Sequence, residues 1–154
     1  MLKIRKILVP TDFSAYSLEI LDTAVDFARK FKASLVVLHV VEDLPLTQHP
    51  TVSIVSVEEV LREMEKRARE KLKKIVAPKI KKRVPATYVV VRGTPFLEIL
   101  RVSRQKKAGL ILLTTHGRTG LSHLLMGSTA EKVVRKSSCP VLTVRPPGHR
   151  FQMP

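Results

Sequence analysis

The chain has little cysteine and no long apolar run. Its single cysteine, Cys139, excludes an internal disulfide and is typical of a protein from a reducing compartment. We expect this residue to be a small buried side chain beside Pro140 rather than a reactive thiol. No apolar run reaches the roughly 20 residues that cross a bilayer, and the start MLKIRKILVPTDF intersperses charges among apolar residues, unlike a secretory signal. The sequence therefore predicts a cytoplasmic protein without a membrane span.

Acidic residues are scarce as well: 13 Asp and Glu stand against 28 Lys and Arg, giving a net charge of +15. Such a balance favours an anionic partner. Residues 61–83 hold eleven of the basic residues and three acidic ones. The absence of interleaved aromatic residues there disfavours nucleic-acid binding by this segment.

The same segment shows two stripes at helical spacing, one basic and one apolar. We expect the basic stripe to be a solvated face; it comprises Arg62, Lys66, Arg69 and Lys73. We expect the apolar stripe to face the core; it comprises Val57, Val60, Leu61, Met64, Ala68, Leu72, Ile75 and Val76.

The chain alternates between strand and helix patterns. The predicted strands are 6–9, 34–41, 86–91, 110–114 and 140–144. The predicted helices are 15–32, a basic helix from the capping box of Ser56 and Glu59 to Pro78 or Pro85, 95–107 and 128–137. This alternation predicts a single α/β domain, a Rossmann-like three-layer α/β/α sandwich with an open parallel sheet of about five strands.

We place the domain at residues 1–146, and we expect the Pro-rich residues 147–154 to form a flexible tail. In open parallel sheets, ligands bind beyond the carboxyl ends of the strands, where the strand order reverses. The candidate segments are therefore VPTD after the first strand and TTHG…GST after the fourth.

Three of the six glycines fall within residues 117–127, in the second of these segments. A glycine lets backbone amides approach an anion, and Gly127, Ser128 and Thr129 open a helix whose free N–H groups favour phosphate. The two hydroxyls can add hydrogen bonds or help to hold a metal ion. The alternative interpretations are a loop hinge at Gly120 and a simple helix start at Gly127.

The glycine segment is neither a Walker A loop nor a G-x-G-x-x-G fingerprint. It resembles the nucleotide-binding type of the universal stress protein family, whose motif is G-x2-G-x9-G-[ST]. Gly117, nine residues and Gly127-Ser128 match the second half of that motif, while Thr114 stands where the first glycine is expected. The resemblance extends to ILVPTDFS at 7–14, VLHVVE at 37–42, VVRGTP at 90–95 and SSCPVLTVR at 137–145.

The resemblance implies an adenine-nucleotide site, with ATP (or AMP or ADP) as ligand and Mg or Mn as a candidate companion ion. Thr11 and Asp12 would face base and ribose, Val40 would lie along the adenine, and Leu113 would contact the sugar through its backbone. The remaining implied residues include the phosphate-binding group and its neighbours: Pro10, Thr114, Gly117, Arg118, Gly127, Ser128 and Thr129. His116 is a further candidate in the same loop.

His39 is expected to be a hydrogen-bonded strand residue, and the other histidines have no metal-ligand spacing. A capping role for Asp12 is the alternative to ligand binding. The family also implies a homodimer paired through residues 140–144.

No nucleophile or acid–base pair is arranged by the sequence around this site, and PTDFSA lacks the S-G-G-x-D-S motif of adenylating relatives. We therefore expect a stress-response sensor or regulator that binds nucleotide, with hydrolysis slow or absent. Two alternatives stay open: a nucleotide-independent dimeric scaffold, favoured by Thr114, and nucleic-acid binding through the basic helix at 56–83.

Overall fold

Strands and helices alternate along the chain, as a computed structural model describes for residues 3–43, 54–80, 83–115 and 126–145. The strands are β1 (Lys6–Pro10), β2 (Ser34–Val41), β3 (Ala86–Arg92), β4 (Leu110–Thr114) and β5 (Val141–Val144). The helices are α1 (Ala15–Phe31), α2 (Ile54–Lys71), α3 (Ala77–Ile80), α4 (Pro95–Gln105) and α5 (Ser128–Lys136), and a π-helical segment, Leu72–Val76, joins α2 to α3.

The five strands form one parallel sheet in the order β3-β2-β1-β4-β5. Successive side chains of a strand point to opposite faces. On one face, Ile7 and Val9 pack with α1, the π-helical segment and α3. On the other face, Leu8 and Ile111 pack with α4 and α5. The predicted three-layer α/β/α sandwich is confirmed, and its two cores lie on either side of the sheet.

The turn that follows β3 depends on a glycine. Gly93 has φ of +135°, and its N–H donates to the carbonyl of Val41 at 3.0 Å. A Cβ at this position would lie 2.9 Å from Cγ of Glu98. The backbone angle strains any residue with a side chain, and an added Cβ would also displace the Glu98 side chain, so glycine suits the turn from β3 into α4.

The basic helix begins before its predicted start, and of its two predicted stops, Pro78 and Pro85, the first is wrong. Ser56 already lies within α2, so it is not the N-cap that the S-x-x-E pattern predicts. Pro78 does not end the helical run, which continues to Ile80. Pro78 removes one N–H from this run directly after the π-helical segment, in which the N–H of Ala77 donates to the carbonyl of Leu72 five residues back.

The apolar stripe of this helix is also narrower than predicted. Val60, Met64 and Ile75 are exposed to 47%, 38% and 40%. The buried members are Leu61, Ala68, Leu72 and Val76. The stripe is narrow because α2 covers the end of the sheet near Val41 with one side only, so the flanking apolar positions face outwards. The predicted basic stripe is exposed, as expected.

An ion-pair cluster ties α2 to the end of β3. Arg92 donates to Glu58 at 2.7 Å and also to Glu65, which accepts from Arg69 as well. The hydrogen bond from Arg92 lowers the pKa of Glu58. For Glu65, burial pushes the pKa up, but the hydrogen bonds from the two arginines together outweigh it and the pKa is lowered. These carboxylates are therefore held in their charged form.

Candidate functional site

A cavity of about 450 Å³ opens at the carboxyl ends of β1, β2 and β4. It therefore lies where the sheet order reverses between β1 and β4, the position expected for a ligand in an open parallel sheet. Its volume falls within the range of small-molecule sites. Nine of the residues that the sequence implicates line it: Pro10, Thr11, Asp12, Val40, Leu113, Thr114, Gly127, Ser128 and Thr129.

The segment that leaves β1 is held by hydrogen bonds among its own side chains. Asp12 Oδ1 accepts from the backbone N–H of Ser14 at 3.0 Å and from its hydroxyl at 2.6 Å. The hydroxyl of Ser14 in turn accepts from the N–H of Ser17, so Ser14 is the N-cap of α1. Asp12 therefore supports the cap and lines the cavity at once, with its carboxylate held in one orientation.

The buried hydroxyl of Thr11 completes this segment. Thr11 Oγ1 lies 2.9 Å from Ser17 Oγ and accepts from the N–H of Phe13 at 3.1 Å. Phe13 has φ of 63°, a conformation that a non-glycine residue seldom adopts. Its ring packs on His39 with centroids 4.4 Å apart, which helps to hold that conformation.

His39 lies in β2 and is 7% exposed. Its Nδ1 is 2.8 Å from the carbonyl oxygen of Thr11, an acceptor, so Nδ1 carries the hydrogen in this contact. The expectation that His39 is a hydrogen-bonded strand residue agrees with this contact. The residue also lines the cavity, and it thereby links β2 to the segment after β1.

The start of α5 presents free backbone donors to the cavity. Gly127 is the N-cap and supplies no side-chain cap, and the first intrahelical bond runs from Glu131 N–H to the Gly127 carbonyl. The N–H groups of Ser128, Thr129 and Ala130 therefore have no partner within the helix. All three residues line the cavity. With the helix dipole, these donors form a surface suited to an anion.

The backbone conformation at Gly127 does not require a glycine. Its φ and ψ are −67° and 150°, which any residue adopts. Its N–H donates to the carbonyl of Thr115 at 2.7 Å, and an added Cβ would lie 3.3 Å from the same oxygen. Glycine here keeps the start of α5 close to the end of β4 and leaves the cavity side of the backbone uncovered.

The end of β4 forms the floor between these two segments. Leu113 is 6% exposed and packs into the core on the α4 and α5 face. Thr114 is half-buried, pairs with Val144 of β5 and lines the cavity. The residue that replaces the first motif glycine therefore faces the space in which a ligand would sit.

A further wall comes from α4 and from the second turn of α5, and the sequence reasoning did not find it. Phe96 and Ile99 line the cavity, together with Lys132, whose Nζ lies 5.0 Å from the Phe96 ring centroid. Thr94 is the N-cap of α4 but makes no capping hydrogen bond with its side chain. The sequence signal that could have indicated this wall is Thr94-Pro95, which follows β3 directly and so lies at the carboxyl end of a strand. The sequence analysis interpreted it only as the start of a helix.

Charge is divided across the cavity. Its acidic lining residues in the described segments are Asp12 and Glu42, near β1 and β2, whereas sequence reasoning had found only Asp12. Lys132 is its basic lining residue within the same segments, and it lies on α5 beyond the free donors. An anionic group is therefore favoured at the α5 side, and a group that donates hydrogen bonds is favoured at the β1 side.

His116, Gly117, Gly120 and Arg118 lie outside the described residues, so their predicted roles stay predictions. Within the described residues there is no cluster of histidine, cysteine and acidic side chains able to hold a metal ion. Nor, in the same part of the chain, does any helix have the length and hydropathy of a bilayer-crossing segment.

Comparisons with known proteins agree over nearly the whole chain. The universal stress protein MJ0531 of Methanocaldococcus jannaschii is 36% identical over 144 residues, which cover 93% of this chain and 83% of the relative. The universal stress protein YxiE of Bacillus subtilis is 34% identical, with 91% and 98% covered. Among solved structures, MJ0577 of M. jannaschii aligns with a TM-score of 0.76 at 28% identity, covering 94% of this chain and 97% of that one.

Two further solved universal stress proteins share the fold at lower identity. One, in complex with cAMP, aligns with a TM-score of 0.61 at 21% identity and covers 93% of this chain and 98% of its own. The other, from Archaeoglobus fulgidus in complex with dAMP, aligns with a TM-score of 0.62 at 18% identity, with 93% and 98% covered.

The sequence model of the universal stress protein family matches residues 3–145. That match spans every strand and helix described above, including the segments that line the cavity. This chain belongs to the universal stress protein family.

Proposed function

We propose that this universal stress protein binds an adenine nucleotide in the cavity and acts as a cytoplasmic stress-response regulator. The observation that carries the proposal is the start of α5, which has no side-chain cap and whose first residues, Ser128 and Thr129, line the cavity. ATP is the preferred ligand, with AMP and ADP as smaller members of the same class.

The α5 side of the cavity fits the phosphates. Free N–H groups and the helix dipole favour negative charge, and they cost no reorganisation because the helix holds them in place. The hydroxyls of Ser128 and Thr129 and the ammonium group of Lys132 add donors on the same side. Gly117 and Arg118 would join this set, and a Mg or Mn ion would share the phosphate oxygens.

The β1 and β2 side fits the nucleoside. Asp12 is an acceptor with a fixed orientation, suited to a ribose hydroxyl or to the adenine amino group. Thr11 lies beside it, and Pro10 lines the same wall. Val40 is partly exposed to the cavity, and Phe96 faces the cavity from α4, so two apolar surfaces are available to a flat base. Leu113 would contact the sugar through its backbone.

The nucleotide complexes of related proteins support the same ligand class. Universal stress proteins of this fold have been solved with cAMP and with dAMP, which have in common an adenine, a sugar and a phosphate. At 21% and 18% identity these proteins share the fold with this chain. The assignment of a nucleotide here therefore depends on the chain's own cavity.

We infer binding rather than rapid turnover. Asp12 is engaged by Ser14, and the imidazole of His39 is engaged by the carbonyl of Thr11. These contacts hold the segment after β1 and link it to β2, and the sequence arranges no nucleophile and no acid–base pair around the cavity that would activate an attacking water. A conformational or partner change that follows nucleotide occupancy is the regulatory output we propose.

A nucleotide-independent scaffold is the second candidate, because Thr114 places a β-branched side chain in the cavity. Mass spectrometry of small molecules released from the denatured, purified protein separates the two candidates. The proposal predicts an adenine nucleotide in sub-stoichiometric to equal amount, or 1:1 binding when ATP is added to a ligand-free sample. No released nucleotide and no binding of ATP at millimolar concentration would favour the scaffold.

A further inference from the structure

Among the described residues, the end of the sheet opposite the cavity carries most of the positive charge that no ion pair neutralises. Five segments that precede the parallel strands meet there: 3–6, 29–34, 83–85, 104–109 and 135–140. We name these five segments together the basic edge; they lie at the amino ends of the strands and are not the outer strands of the sheet. They hold twelve Lys and Arg and no Asp or Glu: Lys3, Arg5, Lys6, Arg29, Lys30, Lys32, Arg83, Arg104, Lys106, Lys107, Arg135 and Lys136.

These segments are joined through their backbones. The N–H of Ser34 donates to the Arg5 carbonyl at 3.0 Å, and the N–H of Gly109 donates to the Lys6 carbonyl at 2.9 Å. A groove of about 490 Å³ runs between three of the segments, and its basic lining residues are Arg5, Arg29, Lys32 and Arg83. The basic edge is therefore one continuous surface rather than five scattered patches.

Few of these cations are neutralised. Arg83 pairs with Asp22, and Arg135 pairs with Glu131. The other ten form no ion pair within the part of the chain that the structure describes. On α2 the situation is reversed, because three of its arginines pair with glutamates one turn away; these pairs are Arg62–Glu58, Arg67–Glu63 and Arg69–Glu65.

Helix dipoles account for part of the pattern only. Basic residues favour the last turn of a helix, and five of the twelve lie in such turns, in α1, α4 and α5. The other seven lie outside the last turns: Lys3, Arg5, Lys6, Lys32, Arg83, Lys106 and Lys107. Of these seven, Lys32 and Lys106 are the C-cap residues of α1 and α4, and Arg83 donates to the Lys79 carbonyl of α3. Lys3, Arg5 and Lys6 lie before or in β1, where no helix end accounts for their charge.

The geometry points to a second ligand, the phosphate backbone of a nucleic-acid duplex, bound without base recognition along the basic edge. Five adjacent strands span about 19 Å at ~4.8 Å per step. A duplex presents one phosphate charge per ~1.7 Å of its axis with both strands counted, so that span carries about 11 phosphates, of which about half face one side. The ten cations of the edge that form no ion pair in the described structure are enough to contact that half.

Other anionic partners fit less well. Stacking on a single strand needs several exposed aromatic rings, and among the described residues of the basic edge only Phe31 is an exposed aromatic, at 40%. Insertion into a membrane surface needs a row of exposed apolar side chains, which the same five segments do not offer in the described structure beyond Phe31.

The basic edge is also distinct from the proposed nucleotide site, which lies at the carboxyl ends of the strands. There, the described segments after the first three strands, 11–14, 42–43 and 93–94, hold three acidic residues and no basic one. This inference does not depend on the proposed nucleotide function, because the two surfaces lie at opposite ends of the strands.

The test measures anisotropy of a fluorescein-labelled 20-base-pair DNA duplex, with a 20-base-pair RNA duplex as a second probe, at several NaCl concentrations. The edge variant is Arg5→Gln/Arg29→Gln/Lys32→Gln. The matched control removes the same charge from the exposed side of the basic helix, in Lys66→Gln/Lys73→Gln/Lys74→Gln. Far-UV circular dichroism checks that each variant is folded.

We expect the parent to bind both duplexes with an affinity that falls linearly on a log–log salt plot. Loss of three phosphate contacts should make that slope shallower by about 2.7 and weaken binding at 0.1 M NaCl at least about 30-fold. The control should change the affinity less than about threefold. If the edge variant does not fold, Lys3→Gln/Arg5→Gln, which lies outside all helices, should show a slope shallower by about 1.8.

Three results would overturn the assignment. Equal losses in edge variant and control would mean that net charge alone drives binding. Unchanged duplex binding by the edge variant would exclude this surface. Tighter binding to single-stranded DNA, or edge-dependent binding to vesicles with 30% phosphatidylserine in place of duplex binding, would assign the edge to another class of partner.

Discussion

At the scale of single residues, Thr114 decides how well the cavity accepts a nucleotide. It is half-buried at the end of β4, lines the cavity and replaces a motif glycine. Thr114→Gly removes a branched side chain from the ligand space, so ATP should bind more tightly by on the order of 1 kcal/mol, about fivefold. A glycine at a strand end destabilises by roughly 0.5–1 kcal/mol, so the ligand-free variant should melt slightly lower.

Calorimetric titration of both proteins, at one salt and one magnesium concentration, measures this change. Weaker binding by Thr114→Gly would show that the threonine hydroxyl contacts the ligand and that the chain has its own version of the motif.

Lys132 provides a second prediction at this scale. Its ammonium group sits at the cavity on α5, beside the Phe96 ring. Lys132→Gln removes a charge on the side where we place the phosphates, so the affinity should fall about three- to tenfold for ATP and less for AMP, which carries fewer charges. Lys136→Gln, one turn further along α5, is the matched control and should leave both affinities unchanged. Equal effects of Lys132→Gln on ATP and AMP would contradict a role at the outer phosphates.

The cavity-lining residues also show which parts of the site could be predicted from the sequence. Asp12 and Gly127 were found because each follows a strand at the switch point, where general rules place ligands. Phe96 and Lys132 were missed because their presence depends on how α4 and α5 lean over the sheet, which is set by packing against residues distant in sequence. Glu42 was missed although Val40 of the same strand was placed in the site, because the residues that follow β2 were interpreted only as a loop.

At the scale of elements, the ion-pair cluster between α2 and β3 should make the stability of the fold depend on pH. Glu58 and Glu65 have pKa values lowered from the usual 4.5. A carboxyl whose pKa is lower in the folded state stabilises the fold above the unfolded value and loses that contribution as the pH falls below about 4.5. The melting temperature should therefore be steady above pH 5 and should fall between about pH 4.5 and pH 3.

Removal of Arg92 tests the origin of this fall. Arg92→Gln should lower the melting temperature at pH 7 and flatten its decline below pH 4.5, because the depressed pKa values return towards normal. Arg67→Gln is the control, since Arg67 pairs with Glu63 within α2 and joins no second element. An identical pH profile in Arg92→Gln and the parent would show that the cluster contributes nothing to the acid sensitivity.

The elements themselves were largely predictable, and the exceptions have physical causes. Period-two and period-3.6 patterns located all five strands, and their bounds agree within one residue. The π-helical segment at Leu72–Val76 was not predicted, because no residue type marks the extra carbonyl that such a turn accommodates. The predicted core-facing stripe of the basic helix included Val60, Met64 and Ile75, which are exposed. Periodicity identifies the apolar side of a helix, but it does not show how much of that side a neighbouring element covers.

At the scale of the whole molecule, the sheet ends in an open strand. β5 pairs with β4 alone, and all four of its residues are half-buried. An open apolar edge promotes association, and the family resemblance implies pairing at this strand. We therefore predict a homodimer through β5, with about twice the 17.3 kDa mass of the chain in sedimentation at micromolar concentration.

A charge at this edge should separate the protomers. Thr143→Lys places a cation on β5 and should give a monomer, whereas Thr87→Lys, an exposed position on the opposite edge strand β3, should leave the dimer intact. A monomeric parent would exclude the dimer, and dissociation by Thr87→Lys alone would assign it to the other edge.

Calorimetric titration of ATP into the parent and into Gly127→Val tests whether a nucleotide binds at the start of α5. The parent should bind one ATP per chain. The variant should bind at least about 100-fold more weakly, because its side chain covers the amides and its Cβ lies 3.3 Å from the Thr115 carbonyl. Loss of a glycine N-cap costs about 1 kcal/mol, so the variant should remain folded and melt about 2–4 °C lower. Equal ATP affinity in the two proteins, or no binding by the parent, would exclude nucleotide binding at the start of α5.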